Sequence, residues 1–427
     1  MRGRLNLFQS SMLRWRELHP YCASHVIAID APLDEPRLRA AIAAVIESCG
    51  LTGLNLDADR RRFEFEGGPA AVALQVLDGG ASPLDRAAEQ IEATINAPFP
   101  RTGRFDPFRF FAIASRDAFL LGLTYDHFIA GGDSVVVLVT DIADRYVAVD
   151  PVTLATLSRY PPTYSRLFWK HAGRLARGLV SLPGLLAGWR RAIRPHVPRP
   201  ADGHNGFVQF GIDAARVARL RAAAKQWKVT LNDLLLALLL RAVAPIASQR
   251  HHTGRRTQVA LASIVNVRAD FQPPASEVFG QFLSSFRVVH PLPRGEPLEA
   301  LARALSAQTA RAKQLKLYLV TLLAMEAAAL LWPFAKPERR HRLYLKYHPV
   351  FAGFTPLNVD ALRRRGASRD GDYLRAASTG PMSPMVVAVT TSGAAVRVGI
   401  TFRTTALSRA DVDAVIASIG QSMGALP

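Results

Sequence analysis

The stretch from Phe119 to Ser134 places the tightest limits on how this chain can fold. Phe119-Leu-Leu-Gly-Leu123 is a short, continuously apolar run, as expected of a strand buried on both faces. It closes on Tyr125-Asp126-His127. Gly131 and Gly132 come next, and glycine gives a tight loop access to left-handed backbone. After them Asp133 or Ser134 can cap a helix whose apolar face is Val135, Leu138, Val139, Ile142 and Tyr146. A histidine therefore sits at the mouth of a strand, on a loop that runs straight into a helix. Rigid elements on both sides would hold the imidazole as a general base requires. A core histidine with satisfied hydrogen bonds fits the same pattern, and His-x-x-x-Gly-Gly alone does not separate the two.

At 427 residues the chain can bury two lobes of about 200 residues each more readily than a single core. Apolar content of 49% and charged content of 20% exclude a disordered chain. Its two cysteines, Cys22 and Cys49, offer neither a disulfide framework nor metal-ligand spacing, which points to a reducing compartment. The first residues, Met1 to Phe8, lack the long apolar core of a signal peptide, so a cytoplasmic location is expected.

Net charge is +19, and it is unevenly spread. Residues 151–201 contain no acid, yet carry Arg159, Arg166, Lys170, Arg174, Arg177, Arg190, Arg191, Arg194 and Arg199. An anionic membrane surface, an acidic carrier protein or nucleic acid would each suit such a segment. Nucleic acid is set aside, because no helix-turn-helix, zinc-finger or RNA-binding signature is present. Within the segment, Leu175–Trp189 is apolar but interrupted by Pro183 and glycines. It reads either as a membrane-interface element or as a crossing segment packed on the protein itself.

The periodicity gives helices near 8–18, 38–46 and 82–95 and strands near 25–30, 62–65, 72–76, 108–114 and 118–123. This alternation makes residues 1–150 a first lobe, 151–205 a basic connector and 206–427 a second lobe. In the second lobe Thr230 and Asp233 form a capping pattern ahead of an apolar helix. Strands follow at 259–265, 385–390 and 395–402, and a closing helix at 409–423. Leu317–Trp332 is strongly apolar but shorter than the roughly 20 residues that span a bilayer. A core or inter-lobe helix is the main expectation for it, an interfacial helix the second. His251-His252 with Arg255 and Arg256 reads as a solvated basic loop, with phosphate binding as its functional option. Arg363-Arg-Arg365 also reads as a solvated run. His341 and His348 have no carboxylate or cysteine companions at ligand spacing, so no metal site is expected.

Asp126-His127-Phe128-Ile129-Ala130-Gly131-Gly132 resembles the His-His-x-x-x-Asp-Gly motif of the condensation-domain, chloramphenicol-acetyltransferase-like acyltransferase superfamily. That group includes peptide condensation domains, wax-ester synthases and polyketide-associated acyltransferases. His127 matches the motif's catalytic histidine, Asp126 replaces its first histidine, and Gly131 replaces its aspartate. Val229-Thr-Leu-Asn-Asp233 is similar to the helix start that follows the linker in wax-ester synthases. Phe279-Gly-Gln-Phe282 is similar to the family's Gly-Asn-Phe segment. The resemblance implies an α/β fold of two chloramphenicol-acetyltransferase-like lobes, each a mixed sheet flanked by helices, forming a V with a central tunnel.

The resemblance also implies a function. His127 would be the base that deprotonates an alcohol or amine acceptor as it attacks an acyl thioester. The donor thioester would sit on phosphopantetheine of an acyl carrier protein or on coenzyme A, and no cofactor would be bound permanently. Asp126, Gly131, Gly132, Asp133, Ser134 and Arg268 would support the loop. In relatives an arginine at the position of Arg268 pairs with the motif aspartate, so Asp126 or Asp133 would stand in for it here. Gly131, Gly132 and neighbouring N–H groups would polarise the site, and Tyr125, Ser284 and Asn358 would line the tunnel. Two other readings remain open. One is a non-catalytic scaffold of this fold that docks a carrier protein. The other is a lipid-binding protein peripheral to an anionic membrane.

Overall fold

The buried strand of the His127 stretch lies at the centre of the first lobe. The computed structural model describes all residues except 58, 60, 149–163, 181, 250–253, 272–277, 294, 363–372 and 427. The first lobe runs β1 (Arg2–Arg4), α1 (Leu7–Leu18), β2 (Cys22–Ile29), α2 (Glu35–Ser48), β3 (Leu54–Asp57), β4 (Arg62–Phe65), β5 (Leu74–Asp78), α3 (Pro83–Ile95), β6 (Arg104–Phe105), β7 (Phe108–Ala114), β8 (Phe119–Asp126) and α4 (Gly132–Val147). Three helices follow: α5 (Ser165–Lys170), α6 (Ala172–Val180) and α7 (Leu182–Arg191). The interrupted apolar segment is thus two helices, with Pro183 in the first turn of α7, where its missing N–H costs nothing.

The second lobe runs β9 (Asn205–Ile212), α8 (Ala214–Gln226), α9 (Leu231–Gln249), β10 (Gln258–Asn266), β11 (Leu283–Pro291), α10 (Leu298–Gln314), α11 (Leu317–Leu331), α12 (Pro337–Tyr347), β12 (Ala352–Asn358), β13 (Tyr373–Ala377), β14 (Met385–Ser392), β15 (Ala395–Arg403) and α13 (Arg409–Gly424). Its sheet has the order β11-β10-β12-β14-β15-β9. β10–β12 and β12–β14 are parallel and the other pairs antiparallel, so the sheet is mixed. The apolar α9 packs against α8, α10, α13 and β10. By length and composition α9 could cross a membrane, but most of it is buried within the lobe.

The first lobe's main sheet has the order β13-β2-β8-β7-β5. Every residue of β8 is buried, as its unbroken apolar run requires, and α3 packs on it while α4 packs on its neighbour β2. A small sheet, β1-β4-β3-β6, flanks it. One strand breaks the chain-order partition. β13 belongs to the second half by sequence but pairs with β2, setting Arg375 opposite His25. The lobes therefore share a sheet edge, separated from β8 only by β2. Asn205 of β9 also meets the first lobe, its N–H donating to Asn96 Oδ1 at 2.9 Å.

The capping pattern at α9 is present. Asp233 N–H donates to Thr230 Oγ1 at 3.1 Å, and Thr230 Oγ1 donates to Asp233 Oδ2 at 2.8 Å. The carboxylate also accepts from Thr309 at 2.6 Å and Ser306 at 3.0 Å, which ties α9 to α10. Hydrogen bonds to a buried charged group contribute about 1.5–3 kcal/mol, so Asp233→Ala should destabilise the chain by about that amount in chemical denaturation.

Candidate active site

His127 leaves the end of β8 at the seam between the lobes, half-buried. Its N–H donates to Tyr21 O at 3.1 Å, and its ring lies between those of Tyr21 (centroids 5.4 Å apart) and Tyr125 (5.8 Å, edge-on). The carbonyls of the loop beyond β8 have no sheet neighbour. Gln281, just before β11, supplies their partner: its Nε2 donates to His127 O at 2.9 Å and Ala130 O at 3.1 Å. Gln9 of α1 donates to Phe128 O at 3.1 Å, and Asn6 in turn holds Gln281 O at 2.6 Å. The loop is thus clamped by one side chain from each lobe.

The missing motif aspartate has a substitute two residues later. Asp133 Oδ2 lies 3.0 Å from Arg268 Nε, and both side chains are buried. Asn266 also donates to that carboxylate. Arg268 Nη2 donates to Ser134 Oγ at 2.5 Å and to Gly280 O at 2.8 Å, and its guanidinium stacks 4.5 Å above the Phe282 ring. Asp133 and Ser134 are therefore pairing residues in the first turn of α4. The cap is Gly131, at φ −85° and ψ 165°. That corrects two expectations: neither Asp133 nor Ser134 caps the helix, and neither loop glycine has positive φ.

Space is tight at both glycines. A Cβ on Gly131 would meet Gln281 Oε1 at 2.9 Å, and one on Gly132 would meet Arg375 Nη1 at 3.3 Å and His25 Cε1 at 3.5 Å. Gly131 N–H is already used, donating to Gly280 O at 3.0 Å, so it cannot polarise a substrate as expected. Gly132, the first helical residue, has an N–H with no acceptor inside the helix. Asp126 faces the other way, toward Arg16 of α1, with Oδ2 3.0 Å from Nε. Burial pushes its carboxyl up to about 7 against the pull of Arg16.

Burial lowers the His127 pKa to about 4, and the Arg375 guanidinium adds to that shift. Its Nδ1 is buried without a well-formed hydrogen bond, although the Ala130 backbone favours the protonated ring. Arg375 is itself buried, donating to Thr390 Oγ1 (2.9 Å), Thr355 O (2.7 Å) and Val389 O (2.9 Å). Burial brings its pKa down to about 10, which leaves it charged near neutrality. His25 Nδ1 lies 2.8 Å from Tyr373 Oη, and burial holds this imidazole well below the usual histidine range. The site thus contains two neutral imidazoles beside a buried cation.

Tyr21, His25, Gln281, Tyr373 and Arg375 were not picked out in the sequence as site residues. Gln281 alone had a signal, since it occupies the asparagine position of the Gly-Asn-Phe resemblance. Two tunnel-lining expectations fail. Ser284 is fully buried and donates to Tyr318 O at 2.5 Å, and Asn358 is exposed at the end of β12, accepting from Asp360 N–H at 3.0 Å. Both serve local structure. Arg159, His251, His252 and Arg363-Arg-Arg365 lie outside the described residues.

No protein-family model and no curated protein matches the sequence. Solved structures do match. The first condensation domain of the calcium-dependent antibiotic synthetase superposes with TM-score 0.70 at 15% identity, covering 100% of this chain and 97% of that one. This chain has the condensation-domain fold. A starter condensation domain of rhizomide synthetase, held with C8-CoA and Leu-SNAC, matches at TM-score 0.69 and 14% identity over 99% and 94% of the two chains. An epimerization domain of tyrocidine synthetase shares the fold too, at TM-score 0.65 and 14% identity over 99% and 95%. A condensation-domain fold therefore hosts more than one reaction, and the residues around His127 have to decide what this one does.

Removing one side of a buried ion pair costs about 3–5 kcal/mol, so Asp133→Ala should lower stability by that order in a denaturation series. Gly131→Asp, which restores the aspartate of the motif it resembles, should also lower the thermal midpoint, because its Cβ would crowd Gln281 and Arg268 already has a carboxylate.

Proposed function

We propose that this chain is an acyltransferase that moves an acyl group from a thioester donor to an amine or alcohol, with His127 as general base. The observation that carries the reading is His127 on a loop clamped at the lobe seam, its ring flanked by Tyr21 and Tyr125 where burial and the Arg375 charge favour the neutral imidazole. A general base must be unprotonated at working pH, which burial favours here, and held in place, which the clamped loop and the flanking Tyr21 and Tyr125 rings support.

The chemistry then runs in two steps. As the acceptor oxygen or nitrogen attacks the thioester carbonyl, the new C–O or C–N bond forms and the acceptor's proton passes to His127. The carbonyl oxygen becomes an oxyanion, for which Gly132 N–H and the Arg375 charge are the available stabilisers. Collapse breaks the C–S bond, and the imidazolium returns its proton to the leaving thiolate. No covalent enzyme intermediate is required. The rhizomide relative, held with an acyl-CoA and an aminoacyl thioester mimic, supports a donor on coenzyme A or phosphopantetheine. A cytoplasmic setting suits both donors.

Losing a general base costs about 10²–10⁴-fold in rate, so His127→Ala should lose that much transfer while its circular dichroism matches the parent. Equal transfer by variant and parent would make the histidine structural and favour the scaffold reading.

The pH dependence follows from the sign of the shift. His127 falls from 6.5 to about 4 on folding, so the neutral base persists well into acid. The acid limb of kcat/KM for an amine-independent (alcohol) acceptor should lie near pH 4, not near 6.5, and should stay there in Asp126→Asn. The stability that His127 contributes is fully present above 6.5 and is lost as pH falls from 6.5 toward 4, because the unfolded chain binds the proton more tightly.

A further inference from the structure

Large apolar side chains exposed on a folded protein are ordinarily scattered singly, and clusters of them mark interaction sites. Among the described residues eight stand out, and all but Val76 fall in two segments, 169–180 and 323–347. Trp169 of α5 is 80% exposed, Val180 of α6 81%, Leu330 of α11 70%, Phe334 in the following loop 85% and Tyr347 of α12 61%.

These elements adjoin one another. α5 packs on α6, and α6 on α11. Gly178 sits so close to α11 that a Cβ there would lie 3.2 Å from Leu317 Cδ2 and 3.3 Å from Val320 Cγ2. α11 and α12 together wall an apolar cavity of about 220 Å³, of which Tyr347 forms part.

The charge around these side chains is predominantly positive, with Glu338 the acid of α12. Arg166, Lys170, Arg174 and Arg177 are exposed on α5 and α6, and no acid occurs anywhere in 151–201. Lys336, Arg339, Arg342 and Lys346 are exposed on and beside α12. Glu326 of α11 is neutralised by Arg61, whose two guanidinium nitrogens reach its carboxylate at 2.7 and 3.0 Å.

We propose that α5, α6, α11 and α12 form a docking surface for an anionic phospholipid bilayer. Protruding tryptophan, phenylalanine and tyrosine seat in the interfacial region of a bilayer, while arginine and lysine stems meet the headgroup phosphates. The complementary charge selects an anionic surface over a neutral one. The cavity beside Tyr347 would then open next to lipid acyl chains. This inference does not depend on the reaction assigned to His127.

The test is flotation of the full chain with vesicles of phosphatidylcholine alone or mixed equally with phosphatidylglycerol. The chain should float with the mixed vesicles, and its apparent affinity should fall at least about tenfold at 1 M salt, where the Debye length is about 3 Å. Trp169→Ser with Phe334→Ser should weaken binding by a similar factor, and so should Arg174→Glu with Arg177→Glu, while thermal midpoints stay near the parent's because these side chains are exposed. Three results would overturn the proposal: no flotation with either vesicle, equal flotation with both, or variants that bind like the parent. Selective binding to a purified acidic carrier protein, with mixed vesicles ignored, would assign the surface to a protein instead.

Discussion

A loop that leaves a fully buried strand carries carbonyls that no sheet can use, and buried polar groups left unpaired are costly. The Gln281 amide solves that problem for the His127 loop. It comes from the second lobe and satisfies two carbonyls of the first, so the position of the imidazole depends on both lobes at once. The Asp133–Arg268 pair reinforces this union from the other side of the helix start. Together they explain why glycine at 131 is compatible with an intact loop: the carboxylate has moved into α4, and Gln281 fills the space a side chain would need.

The electrostatics follow from the strand that the lobes share. β13 brings Arg375 opposite His25 and within the field of His127, in surroundings dry enough to suppress imidazole protonation. A cation there disfavours imidazolium in the resting site yet suits an oxyanion that forms later. That ordering suits the acyl transfer proposed for the site, because stabilisation should appear as charge develops.

Much of this was legible in the sequence wherever a local rule applied. The unbroken run into His127, the Thr230–Asp233 cap and the alternation of periods gave β8, the start of α9 and most first-lobe elements to within about three residues. The pairing of Arg268 with a nearby aspartate followed from resemblance, and Asp133 fulfils it. What local patterns could not show was long-range pairing. Nothing in Tyr373-Leu-Arg-Ala-Ala377 says that this short strand crosses to the first lobe, so Arg375 and Tyr373 went unnoticed. Ser284 and Asn358 were misread because a polar residue on a strand looks alike whether it faces a substrate or serves a nearby backbone group.

The central claim is geometric: an acyl carbonyl sits between a neutral His127 and the Gly132–Arg375 side of the site. An experimental structure with a non-hydrolysable amide analogue of an acyl-pantetheine thioester tests it most directly. The account predicts the analogue's carbonyl carbon beside the His127 ring, with its oxygen turned toward Gly132 N–H and the Arg375 guanidinium. An analogue bound in full occupancy elsewhere, with its carbonyl out of reach of His127, would contradict it.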